Sequence, residues 1–191
     1  AQGGYDIFYG LIWGTRTAFR VGIITVAFSM LIGIIGGSIA AYFGGWLDDL
    51  LMRITDIFLS IPFLVAAMVL TTILGRGLNK VMIALIAFGW MEYARVIRGS
   101  ILSTKEEIYV MAAKALGVKD YRIIILHLLP NTIFPVLVQA SMNIGSMVVT
   151  AAALSFLGVG APLGYADWGQ MVSFARNWIM GAPGKAGEYW Y

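Results

Sequence analysis

The chain has 191 residues, 60% of them apolar and 12% charged, with a net charge of +3 and a mean hydropathy of +0.83. A soluble domain of this length needs a far more polar surface, so the composition indicates an integral membrane protein. With no cysteine and a single histidine, the chain excludes disulfides, thiol catalysis and thiolate or multi-histidine metal sites.

Ala1-Gln2-Gly3-Gly4 offers no initiator methionine and no basic signal start. The far end, "GKAGEYWY", stops at an aromatic, interface-like cluster. The sequence therefore reads as an internal piece of a longer membrane chain, with another span starting near Glu188.

A helical span needs about 20 mostly apolar residues. The first runs from Phe19 to Phe43, flanked by Arg16 and Arg20. Gly33 and Gly37 form a GxxxG that Ala40 and Gly44 extend, a row of small residues suited to close helix approach. "GGWLDDLLMR", Gly44 to Arg53, interrupts the apolar run. The second span, Ile54 to Leu74, contains Pro62, which kinks the helix or marks its broken start. A polar turn, Gly75 to Lys80, leads to the third span, Val81 to Val96.

A long polar interval follows, Arg95 to Asn131. It holds six of the thirteen basic residues: Arg95, Arg98, Lys105, Lys114, Lys119 and Arg122. The positive-inside rule makes this interval cytoplasmic. Counting outward, Gly44 to Arg53 is cytoplasmic and Gly75 to Lys80 lies outside. The fourth span is Ile133 to Leu157. Beyond it, "GVGAPLGYADWGQMVSFARNWIMGAPG" is too broken to span and reads as an outer interfacial loop with a short helix. Trp168, Trp178 and Trp190 suit an outer aromatic belt.

Within the polar interval, Ser103 with Glu106 and Thr104 with Glu107 have capping-box spacing, which starts a helix near Lys105. Ile108, Met111, Ala112, Ala115 and Leu116 recur on one apolar face. Gly117 stands where a helix-ending glycine adopts the left-handed conformation. A second short helix, Asp120 to Leu128, ends at Pro130. So small a helix cannot bury its apolar face alone. It docks on a protein partner, folds back on its own spans, or lies on lipid. Its alanines suit protein contact better than lipid insertion, which favours bulky anchors.

This stretch resembles the cytoplasmic "EAA" motif of binding-protein-dependent ABC importer permeases: Glu-Ala-Ala, three residues, Gly, nine residues, Ile, one residue, Leu-Pro. Ala112, Ala113, Gly117, Leu129 and Pro130 fall at that spacing. Met111 replaces the usual glutamate and His127 the usual isoleucine, as in the "HILPN"-like variant of peptide and nickel permeases. The blocks "DIFYGLIWGTRTAFRVG", "GGWLDDLLMRITDIFLSIP", "ALSFLGVGAPLGYADWGQM" and "ARNWIM" resemble, in order, the C-type subunit of dipeptide and oligopeptide importers.

The resemblance implies an all-α, polytopic transmembrane helical bundle, one permease domain over residues 1–191, lacking a span before Ala1 and another after Tyr191. Residues 99–130 form its coupling hairpin, with Met111, Ala112, Ala113, Gly117, Leu129 and Pro130 at the ATPase. It also implies a homologous B-type permease, two ABC ATPase subunits and an extracellular or periplasmic solute-binding protein as partners in the cell membrane, in contact with lipid and with no nucleic acid. The "ADWGQM" segment is a candidate contact for the solute-binding protein.

The chain is read as a transport subunit and not an enzyme. It has no phosphate-binding loop: Gly184-Lys185 lacks a glycine five residues earlier and is followed by Ala186. ATP and Mg²⁺ belong on partner ATPases, and the chain binds no cofactor or metal. Asp56 reads as an interfacial ion pair with Arg53, and Glu92 as pairing with Arg95. Asn143, Ser146 and Thr150 share a face of the fourth span, where they line a translocation path or hydrogen-bond a neighbouring helix. The competing reading is an ATP-independent channel or membrane scaffold. A membrane enzyme would need a nucleophile with its base, or paired carboxylates, and the spans supply neither.

Overall fold

The computed structural model describes residues 6–162 and 164–179. Asp6 opens α1 (Ile7–Phe43), its Oδ1 accepting hydrogen bonds from the backbone N–H groups of Phe8 (2.9 Å) and Tyr9 (3.2 Å). This cap satisfies the first free donors of the helix and starts it twelve residues before the span predicted at Phe19. At about 1.5 Å per residue its 37 residues reach roughly 55 Å, well beyond a hydrocarbon core of about 30 Å.

Gly44 and Gly45, with φ of +65° and +57°, turn the chain at the end of α1. The "GGWLDDLLMR" break predicted here is itself mostly helical, because an amphipathic pattern resumes directly after the glycines as α2 (Gly45–Leu59). α3 (Phe63–Leu74) follows at 88° to α2. The span predicted at Ile54–Leu74 is therefore two helices, not one. Pro62 denies the ladder a donor, and the Ser60 hydroxyl bonds back to the Ile57 carbonyl at 2.6 Å, closing α2 before the proline.

α4 (Leu78–Thr104) continues past the predicted end at Val96. The predicted capping boxes do not form. The hydroxyls of Ser103 (2.8 Å) and Thr104 (2.9 Å) instead donate back to the Ser100 carbonyl within the last turn of α4. α5 (Ile108–Ala115) starts three residues later than expected, without a side-chain cap. α6 (Asp120–Arg122) runs into a π-helical segment (Ile123–Leu128), then α7 (Leu129–Thr132) and α8 (Phe134–Phe156). Pro130 does not end the second hairpin helix as predicted. The wider π winding precedes it, and the Asn131 side chain donates to the His127 carbonyl at 2.7 Å. α9 (Trp168–Ile179) lies beyond the loop that follows α8.

The core joins α1, α4 and α8. A Cβ on Gly33 would lie 2.5 Å from the Trp90 carbonyl oxygen, and one on Gly37 only 2.3 Å from that of Ala94. Ala40 is fully buried. The small-residue row thus brings the α1 and α4 backbones together, as its spacing predicts. Val21, Leu85, Tyr93, Ile97 and Leu154 fill the space around this seam.

Two local contacts fix the ends of the bundle. The Lys105 ammonium donates to the Ala41 carbonyl at 3.1 Å, so the end of α4 meets the end of α1. At the opposite end the Gly77 N–H donates to the Gly160 carbonyl at 3.0 Å, joining the α3–α4 turn to the loop after α8. α1 and α8 are long and apolar enough to cross a membrane, and the bent α2–α3 pair counts as a third span if taken together. The positions expected for a further span near Glu188, and Trp190, lie outside the described residues.

Candidate functional site

The hairpin begins with α5, whose end is a Schellman turn. Val118 N–H donates to the Ala113 carbonyl (3.1 Å) and Gly117 N–H to that of Lys114 (3.0 Å). Gly117 has φ of +74°, a conformation costly for any residue with a Cβ. Space is not the constraint, since nothing lies within 4 Å of where its Cβ would be.

The turn divides α5 into two faces. Val110 and Ala113 are buried with Ile101, Ile123 and Leu128 in the core. Ile108 (80% exposed), Met111 (53%) and Leu116 (84%) point away from the protein, with Ala112 and Ala115 between them. Of the motif residues, Met111, Ala112 and Gly117 are therefore on the open side. Ala113 is inside, Leu129 is half-buried and Pro130 is exposed.

Three contacts tie this hairpin to the end of α1. The Tyr42 hydroxyl donates to Asp120 Oδ1 at 2.6 Å. The Lys114 ammonium lies 4.7 Å from the centre of the Tyr42 ring, within cation–π range. Lys105 supplies the third through Ala41. Tyr42 carries no signal in the sequence, because its partner is 78 residues away.

Arg98 grips Asp48 in a fork, Nε to Oδ1 at 2.6 Å and Nη2 to Oδ2 at 2.6 Å, locking α2 to α4. Asp56 pairs with Arg95 rather than with Arg53. The bend at Pro62 lays α2 against α4 and brings Asp56 to Arg95. That contact also removes Arg95 from Glu92, its expected partner.

Glu92 bonds across to α8 instead. Its Oε2 accepts from Asn143 Nδ2 at 3.2 Å and Gln139 Nε2 at 3.4 Å. Asn143 Nδ2 also donates to the Tyr93 hydroxyl oxygen at 3.1 Å. Of the three polar residues predicted on α8, Asn143 alone makes this cross-helix contact. The hydroxyls of Ser146 and Thr150 return to carbonyls of their own helix, those of Asn143 (3.0 Å) and Ser146 (2.8 Å). Gln139 was missed, though its place four residues before Asn143 puts both on one face. Glu92 meets Asn143 near the middle of α8, a helix long and apolar enough to cross a membrane. A charged side chain at the centre of a span costs about 3 kcal/mol on insertion scales, so such groups face protein or water rather than lipid.

At the end of the bundle opposite the hairpin, Gln170 is buried and its amide donates to the carbonyls of Ala161 and Pro162. It braces the loop after α8. Trp168 is half-buried over Gly14 and donates to the Leu11 carbonyl at 3.2 Å. Burial pushes the Asp167 carboxyl above its usual range, opposed by hydrogen bonds from the Gln170 backbone, Ser155 and the Gly169 backbone. The Trp178 side chain lies outside the described residues. No group of three metal-ligating side chains occurs among the described residues.

Residues 33–184 match the family model of the binding-protein-dependent transport system inner membrane component. The dipeptide transport system permease protein DppC of Alkalihalophilus pseudofirmus is 40% identical over 94% of this chain and 59% of its own length. The glutathione transport system permease protein GsiD of Pectobacterium atrosepticum is 37% identical over 94% of this chain and 60% of its own. The oligopeptide transport system permease protein OppC of Bacillus subtilis is 37% identical over 89% and 56%. The chain thus spans about three fifths of the length of these relatives. A chain from the inward-facing MetNI methionine ABC transporter shares the fold, with a TM-score of 0.68 at 21% identity, covering 88% of this chain and 87% of that one. This chain belongs to the family of binding-protein-dependent transport system inner membrane components.

Proposed function

We propose that the chain is the transmembrane permease subunit of an ATP-driven importer in the cytoplasmic membrane, a multi-pass protein forming half of a path for peptides or similar small solutes. The observation that carries this reading is the open apolar face of α5, held rigidly at the end of the bundle by the Gly117 turn and the Tyr42 contacts. An exposed face of Ile108, Met111 and Leu116 beside small alanines fits a groove on a partner. Peptides are the substrate class favoured by the names of its relatives.

In this reading residues 99–130 are the cytoplasmic coupling hairpin. Two ATPase subunits bind ATP and Mg²⁺, a B-type permease completes the path, and a solute-binding protein delivers the cargo. Closure of the ATPases around ATP moves the groove that holds α5. The hairpin passes that motion to α1 through Tyr42 and Lys105. The nucleotide thereby selects between two arrangements of the spans.

Co-purification tests the reading. The full-length protein is expressed with its candidate partners, as wild type and as Gly117→Arg. ATPases retained by wild type and lost by the variant, with the spans still folded, are the expected result. Folded wild-type protein that binds no ATPase would instead favour an ATP-independent channel or scaffold.

A further inference from the structure

The carboxylate of Glu92 is held in place but not neutralised. Two side-chain amides from α8 hold Oε2, and no donor reaches Oε1 among the described residues. Neither ion pair among the described residues includes it. The nearest cation on its own helix, Arg95, is engaged by Asp56.

Depth makes this unusual. Asn143 lies nine residues past Phe134 and thirteen before Phe156 in α8, one of the helices long and apolar enough to cross a membrane, and Glu92 of α4 is level with it through their hydrogen bond. Glu92 is exposed, and Asn143 and Gln139 are only half-buried. Apolar side chains exposed at neighbouring positions of α8, such as Val138 and Met142, are compatible with lipid or protein. A carboxylate is not compatible with lipid, so this face requires water or a counter-charge.

We infer that Glu92, oriented by Asn143 and Gln139, is a recognition point in the translocation path for a solute's ammonium group. The inference rests on the importer reading and adds the charge of the cargo to it. A fixed, hydrogen-bonded carboxylate meets an ammonium with little reorganisation. The solute class is then an amine-bearing one, with peptides carrying an additional lysine side chain engaging most strongly. The competing occupant is a fixed cation on the partner permease, which would make Glu92 an assembly contact.

The test uses the assembled transporter in proteoliposomes, with its binding protein preloaded and saturating. Maximal uptake of Lys-Ala is compared with that of Glu-Ala, for wild type, Glu92→Gln and Glu92→Asp. Taking the ratio of the two rates within each transporter, then comparing ratios, removes the binding protein's own preference. The expected result is a fall of roughly threefold or more in the Lys-Ala to Glu-Ala ratio for Glu92→Gln, the scale of one accessible ion pair. ATPase subunits remain bound and Glu92→Asp recovers part of the ratio. An unchanged ratio overturns the inference. So does a Glu92→Gln subunit that no longer assembles with its partner permease, which identifies the fixed cation instead. Wild-type transporter that moves neither peptide overturns the importer reading itself, and this inference with it.

Discussion

Gly37 lies so close to α4 that a single methyl group would strike the Ala94 carbonyl, which backbone cannot easily yield. Gly37→Ala should destabilise the bundle by about 1–3 kcal/mol, the usual cost of overpacking. Gly145, in the middle of α8, has nothing within 4 Å of its Cβ position, and Gly145→Ala should leave the melting midpoint in detergent unchanged or raised. Arg98→Ala leaves the part-buried Asp48 without its fork and should cost about 1–2 kcal/mol by the same measurement, between the values for exposed and buried pairs. Arg98→Lys should recover only part, because an ammonium cannot reproduce the paired geometry. The glycine row was legible because i to i+4 spacing is a property of one helix. The partners of Asp56 and Glu92 were not. Sequence proximity offered Arg53 and Arg95, while the fold supplied Arg95 from 39 residues away and Asn143 from 51.

Among the elements, the hairpin shows where local signals compete. The turn at Gly117 formed as its residue type demands. The capping boxes failed because Ser103 and Thr104 found the Ser100 carbonyl first and prolonged α4. The apolar face of α5 was legible as a pattern. Its division into a buried side at Val110 and Ala113 and an open side at Met111 depended on which surface α6 and the π segment would cover. If the Tyr42 contacts transmit motion, Tyr42→Phe should keep the ring beside Lys114 but remove the hydroxyl bond to Asp120. ATP hydrolysis should then continue while solute moved per ATP falls, by about fivefold for loss of a bond worth roughly 1 kcal/mol. Paired uptake and phosphate-release assays on one proteoliposome preparation would measure it.

For the molecule as a whole, composition identified a membrane protein; of the four spans read from the sequence, those on α1, α8 and the bent α2–α3 pair are long and apolar enough to cross, whereas α4, where the third was expected, is not one of them. The 88° bend was foreseen at Pro62 as a kink or a break, but not that α2 would begin directly after Gly44. The ends of the bundle now give a sidedness test. The chain has no cysteine of its own, so each introduced thiol reports alone within it. A membrane-impermeant maleimide should label Arg76→Cys in intact cells. Lys119→Cys should react only once the membrane is opened, because it lies at the end where Lys105 meets α1.

The π-helical stretch at Ile123–Leu128 holds about one residue more than an α-helix of the same height. It therefore absorbs a residue without changing the phase of the helices on either side, since six residues of π winding turn the chain about as far as five of α winding. A protein lacking Ile125, whose side chain is exposed, should wind this stretch back to α-helix, melt as a bundle and keep its Met111 face pointing in nearly the same direction. The joint between the hairpin and α8 is then a reserve of length and not a setting of angle: a residue can be gained or lost there without redirecting the surface the hairpin presents.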